Sequence, residues 1–180
     1  RGAGGDDLVV TLRGKTKHNA NVSDRGNGHY LVKYLLDAVG KYEVNVTIGG
    51  APLQGSPFTL SLAGGETHAG SSVLRRPDGA SRELTPTVAG RRNVYFVEAR
   101  DAYGNPRAKG GDVFVASLTG AADVPAAVTD EGEGIYAVTF RPTRAGAYTL
   151  SVSLGGEQIA GSRFALSVSA DKTSAAACVA

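Results

Sequence analysis

The chain has 180 residues, 42% of them hydrophobic, with 19 Lys and Arg against 17 Asp and Glu and a single cysteine, Cys178. The net charge of +2 is too small to point to nucleic acid or an anionic membrane surface as partner, and no apolar run reaches the roughly 18 residues of a membrane span. One cysteine excludes an intrachain disulfide, leaving a chain long enough for one or two domains held by packing alone.

After Gly4-Gly5-Asp6, the side chains of Leu8, Val10 and Leu12 recur at every second position, which predicts a strand C with one buried face. A short strand D carries Val22. The turn Asp24-x-Gly26-x-Gly28 leads into strand E, with Tyr30, Val32 and Tyr34 on one side. A connection ending at Gly40 opens strand F, with Tyr42, Val44, Val46 and Ile48 alternating against Lys41, Glu43, Asn45 and Thr47. Gly49-Gly50 begins a loop to Gly55-Ser56-Pro57-Phe58, where strand G starts with Phe58, Leu60 and Leu62.

Residues 71–109 read as two further strands. Strand A is broken around Pro77-Asp78-Gly79 and Pro86, and strand B runs from Asn93 to Arg100 with Tyr95, Val97 and Ala99 inward. The loop from Asp101 to Arg107 turns the chain, Gly104 and Asn105 tolerating positive φ there. From Gly110 the earlier order returns: Phe114, Ala116 and Leu118 in C, Val128 in D, Tyr136, Val138 and Phe140 in E, Tyr148, Leu150, Val152 and Leu154 in F, then Phe164, Leu166 and Val168 in G.

Asp130 stands 106 residues after Asp24, and at that shift Gly4–Leu62 overlays Gly110–Val168 without a gap. A duplication of this length is a whole domain rather than a solenoid turn. The expected organisation is residues 1–65 as a repeat lacking strands A and B, 66–170 as a complete repeat, and 171–180 as a linker or the start of a third. Short strands with turn signals every 8 to 12 residues, as such sandwiches show, predict an all-β chain of tandem immunoglobulin-like antiparallel β-sandwiches.

The motifs Asp24-x-Gly26-x-Gly28-x-Tyr30-x-Val32, Gly40-x-Tyr42-x-Val44-x-Val46 and Gly55-Ser56-Pro57-Phe58, with their second copies and with Ala99-Arg100-Asp101 and Gly104-Asn105-Pro106, resemble the filamin-type (ABP280-like) immunoglobulin repeat. Two departures concern loops: Arg163 replaces the proline of the Gly-Ser-Pro-Phe motif, and Leu35-Leu36 stands where a proline such as Pro142 is usual. The resemblance implies a non-enzymatic spacer and protein-docking module of a larger multi-repeat protein in a cytoplasmic, cytoskeletal setting. Its partners would be neighbouring repeats and proteins that add a strand beside strand C. The alternative is the ectodomain of a cell-surface adhesion protein, and a bacterial-type surface array is a third class suggested by the Asp101 to Pro106 turn.

Docking by strand addition needs an open sheet edge with apolar side chains on a nominally outer face. Val113, Val115 and Ser117 on strand C, with Val124 and Ala126 on strand D, are expected to supply it in the second repeat. The first offers the more polar Asp7, Val9 and Thr11 with His18 and Ala20. The sequons Asn21-Val22-Ser23 and Asn45-Val46-Thr47 would carry glycans on a secreted chain, Asn45 pointing outward from strand F. No cofactor or metal is expected. The Asp-x-Gly-x-Gly turn lacks the further ligands of a calcium loop, and His18, His29 and His68 are not spaced as a metal set, His18 and His29 reading as surface positions. Arg75-Arg76 and Arg91-Arg92 flank strand A and read as one solvated basic edge. Neither nucleic-acid binding nor direct membrane insertion is expected.

Overall fold

The computed structural model describes residues 4–79 and 83–171; the expected third-repeat start and Cys178 lie beyond the described residues except for Asp171. The chain is almost entirely β and divides into two compact units, Arg1–Gly64 and Gly65–Ala180.

The first unit holds β1 (Leu8–Arg13), β2 (Lys17–Asn19), β3 (Asn21–Asp24), β4 (Tyr30–Lys33), β5 (Gly40–Ile48), β6 (Ala51–Pro52) and β7 (Phe58–Leu62). β5 lies between β1 and β7, and β3 pairs with β4 in a separate two-stranded ladder. Val10, Leu12 and Tyr42 are buried, with Leu8, Val22, Val32, Val44 and Leu60 packed around them. Three residues that alternation places inward stay uncovered: Tyr34 is 48% exposed, Phe58 44% and Ile48 36%.

The second unit holds β8 (Val73–Arg75), β9 (Thr87–Val88), β10 (Asn93–Glu98), β11 (Phe114–Gly120), β12 (Val124–Gly132), β13 (Ile135–Phe140), β14 (Gly146–Leu154), β15 (Glu157–Gln158) and β16 (Phe164–Ser169). One layer runs β8-β10-β13-β12 and the other β11-β14-β16-β9, with β12 touching both. Strand A is broken as its prolines require: β8 pairs antiparallel with β10, whereas β9 pairs parallel with β16. The core between the layers takes Tyr95 and Val97 from β10, Tyr136, Val138 and Phe140 from β13, Tyr148, Leu150 and Val152 from β14, and Phe164 and Leu166 from β16. Burying each such side chain contributes about 1.5–3 kcal/mol, which is what holds a disulfide-free sandwich together.

The duplication extends to individual hydrogen bonds. The carboxylate of Asp24 accepts from the Gly5 and Gly26 amides at 2.6 and 2.8 Å, and that of Asp130 from Gly111 and Gly132 at 2.7 and 2.8 Å. The Asp-x-Gly-x-Gly turn is thereby tied to the start of strand C in both copies. Tyr42 and Tyr148 each donate to a carbonyl four residues upstream, Ala38 and Arg144, at 2.7 and 3.0 Å. The amides of Val46 and Val152 donate to Ser56 and Ser162 Oγ at 2.9 and 3.0 Å, so the loop keeps this contact where Arg163 replaces proline.

Candidate functional site

β11 is paired with β14 along its whole length, from Phe114↔Leu154 to Gly120↔Tyr148. On its other side it meets β12 over Ser117↔Pro125 and Leu118↔Val124, after which β12 turns to pair with β13 from Ala126↔Phe140 to Gly132↔Ile135. Among the described residues, Phe114 and Val115 therefore have a ladder partner on one side, and the two strands diverge around an open edge. Alternation along β11 buries Phe114 and Leu118 and turns Val115 and Ser117 outward. Val113, just before the strand, is 76% exposed and Val115 59% exposed. Two β-branched apolar side chains thus stand in solvent beside unpaired main chain, the chemistry that a strand-adding partner needs.

The structure corrects the place of the strand D residues. Val124 and Ala126 are half-buried and pack against the core with Val128, while Pro125, Ala127 and Thr129 face outward. The reason is parity: β12 runs without interruption from β11 to the Asp130 turn, so residues 124, 126 and 128 must share a face. His18 and Ala20 in the first unit follow the same rule. His18 is half-buried, its ring 6.2 Å from that of Tyr42 and its Nε2 2.6 Å from Thr16 Oγ1, so it is not a plain surface position.

The entrance to strand C is fixed from behind. Tyr136 donates its hydroxyl to Asp112 Oδ2 at 2.9 Å, the Asp112 amide donates back to the Tyr136 oxygen at 2.9 Å, and Thr67 Oγ1 donates to the same carboxylate at 2.7 Å. Burial first, then the hydrogen bond to the Asp112 carboxylate and the negative charges of Asp112 and Asp130, outweigh the opposing Asp112 amide and push the Tyr136 phenol up to about 12. One residue further, Val113 emerges from a segment whose backbone is held.

Of the two arginine pairs, the first carries ion-pair partners: Arg75 pairs with Glu98, which also holds Arg100 at 2.7 Å, and Arg76 pairs with Asp78 at 2.8 Å, while Arg76, Asp78 and Arg92 line one pocket. Asn21 is exposed on the outer face of β3, whereas Asn45 is only partly exposed in the middle of β5, its Nδ2 donating to Glu43 Oε1 at 2.9 Å. Among the described residues no group of three or more His, Cys, Asp or Glu could hold a metal, and no helix is long and apolar enough to cross a membrane.

The sequence points to strand C as the open edge but not to Phe114 and Val115 as its unpaired stretch, because that depends on where β12 departs, which no local pattern records.

The Filamin/ABP280 repeat matches residues 1–59 and 70–165. Mouse filamin-C is 28% identical over 168 residues, covering 93% of this chain and 6% of its own length. Among solved structures, Yersinia pseudotuberculosis InvD matches with a TM-score of 0.53 at 20% identity, over 99% of this chain and 51% of that one. The Escherichia coli adhesin FdeC matches with a TM-score of 0.50 at 23% identity, over 92% and 54%. At those identities the two bacterial structures share the fold alone. Two repeat matches that together span most of the residues, on two copies of one hydrogen-bonded sandwich, establish that the chain belongs to the Filamin/ABP280 repeat family of non-enzymatic structural and protein-interaction domains.

Proposed function

We propose that the second repeat docks a protein partner by strand addition along β11, within a longer array of repeats that spaces and scaffolds cytoskeletal components. The observation that carries this reading is the open edge at Phe114 and Val115, flanked by the exposed Val113 and Val115. The incoming strand would take its main-chain hydrogen bonds from this stretch. Its outward side chains would lie beside Val113, Val115 and Ser117, and its inward ones would meet the half-buried wall of Val124 and Ala126. The first repeat presents Asp7, Val9 and Thr11 at the equivalent positions and makes a poorer apolar dock.

The test is titration of the isotope-labelled 180-residue chain with a blocked peptide of alternating valine and serine. Amide signals of residues 113–117 should shift, and exchange of the Phe114 amide should slow. Val115→Glu should abolish both while leaving the rest of the spectrum in place. Unchanged binding by that variant would remove the proposal.

A second reading, an extracellular adhesion module, is favoured by the exposed Asn21 sequon on β3. A secreted version expressed in a glycosylating host would then carry a glycan at Asn21, with Asn45 modified less because its side chain is partly enclosed. A chain secreted bare at both sites would count against this reading.

A further inference from the structure

We propose that Arg92 and Arg141 form a clamp for a carboxylate carried by an apolar protein segment, on the outer face of the β8-β10-β13-β12 layer and apart from the β11 edge. The ladder between β10 and β13 runs from Glu98↔Ile135 to Asn93↔Phe140. Arg92 and Arg141 are the next residues beyond the last pair, outside the ladder itself, and both line one cleft. Alternation puts both on the outward side, with Val94 and Thr139 rather than with the buried Tyr95 and Phe140, and both are exposed.

Like charges gathered at one end of a strand pair are unfavourable unless something bridges them. Among the described residues no carboxylate does so: the arginines of the neighbouring A strand find Glu98 and Asp78, but Arg92 and Arg141 have no ion-pair partner. Arg141 is held in place nevertheless, its Nε donating to the Gly90 carbonyl at 2.6 Å while the Gly90 amide donates to Pro142 at 2.7 Å. Anchoring through Nε leaves the two terminal nitrogens for a ligand, and a guanidinium fork matches a carboxylate in two parallel hydrogen bonds.

The two arginines rim a shallow cleft of about 400 Å³ whose remaining surface comes mainly from Pro125, Ala127, Thr139 and Phe140, with no acidic residue in the lining. Across the sheet, Thr139 is opposite Val94 on one side and Ala127 on the other, which continues the small, apolar floor away from the cations. A basic end joined to an apolar floor fits an acidic side chain followed by apolar ones. The first repeat has no such site: Leu35, Asn19, Asn21 and Lys33 stand where the second has Arg141, Pro125, Ala127 and Thr139.

The test titrates the isotope-labelled 180-residue chain with a blocked pentapeptide of alternating leucine and aspartate, and with its asparagine counterpart. The aspartate peptide should shift the Gly90, Thr139 and Arg141 amides saturably, and the asparagine peptide should not. The double variant Arg92→Gln with Arg141→Gln should lose at least tenfold in affinity, Arg92→Lys with Arg141→Lys, which keeps the charges but not the forks, should fall between it and wild type, and both should keep the dispersed spectrum. Absence of shifts, equal response to the asparagine peptide, or undiminished binding by the glutamine variant would overturn the proposal. So would tighter binding of inorganic phosphate or of phosphatidylserine vesicles at the same amides, which would mark a general anion or membrane site. Shifts confined to residues 113–117 would support the β11 dock and overturn this one.

Discussion

Tyr136 and Asp112 exchange two hydrogen bonds: the phenol donates to the carboxylate at 2.9 Å and the Asp112 amide donates back at 2.9 Å. Tyr30 and Asp6 repeat the exchange at 3.1 and 2.9 Å. Tyr136 is 1% exposed, whereas Tyr30 is half-buried. A hydrogen bond to a charged group contributes about 1.5–3 kcal/mol when buried, so Tyr136→Phe should cost roughly that much and Tyr30→Phe clearly less. Urea unfolding followed residue by residue checks the difference.

The same phenol makes an alkaline prediction. Burial and the neighbouring aspartates raise Tyr136 from 10.0 to about 12, so the folded state holds this proton more tightly than the unfolded chain does. The associated stability is fully present below pH 10 and is lost as pH rises from there toward 12. Wild type should therefore lose stability more steeply than Tyr136→Phe across that window. Parallel pH profiles would refute the assignment.

Asp101 is the charged counterpart. It is 3% exposed, and burial alone would raise its carboxyl above 3.8; hydrogen bonds from the Asn105 side chain and amide, the Gly65 amide and the Tyr103 amide, at 2.9 to 3.2 Å, outweigh burial and lower it. A lowered carboxyl stabilises the fold above its ordinary value and loses that contribution as pH falls through the lowered one. Asp101→Asn should cost about 2–3 kcal/mol at pH 7, with the gap to wild type narrowing below pH 3.8. A constant gap down to pH 2 would mean that the charge does not matter there.

Much of this architecture was legible because two signals reinforced each other. Tyr42 and Tyr148, Leu12 and Leu118, Val46 and Val152 follow period two within a copy and match across copies, and local alternation decides which face is buried. The misplacement of Val124 and Ala126 had a remedy in the same rule, since both share the parity of Val128. What could not be read was non-local. The partners Glu98 for Arg75 and Asp112 for Tyr136 lie far along the chain, and the cleft that Arg92 and Arg141 share exists only once β10 and β13 have paired.

Gly134 is a residue for which the turn has no substitute. Its φ is +73°, and an added Cβ would sit 2.7 Å from both the Cβ and the carbonyl oxygen of Arg107. Its own carbonyl accepts from the Ala99 amide at 2.8 Å, so it cannot shift without cost. Gly132, at φ +86°, has nothing within 4 Å of the same position. Gly132→Ala should therefore cost about 1 kcal/mol for the backbone alone, and Gly134→Ala about 3 kcal/mol or more once overpacking is added. Equal thermal shifts for the two variants would show that the Arg107 contact gives way freely.

Tyr34 and Phe140 occupy the same place in the two copies and differ in what covers them. Phe140 is 2% exposed and stacks on Tyr95 of β10, the ring centroids 5.9 Å apart and the planes within 4°. Tyr34 is 48% exposed, and among the described residues β4 pairs with β3 alone. Removing a buried aromatic ring costs about 3–5 kcal/mol through lost burial and the cavity left behind, whereas an exposed ring supplies little of either. Phe140→Ala should thus unfold the second unit at much lower urea. Tyr34→Ala should move the first by less than about 1 kcal/mol, read from the amide signals of each unit separately. If Tyr34→Ala proved as damaging as Phe140→Ala, its ring would have to be covered by something that these residues do not supply, and the first unit's apolar face would be closed rather than open.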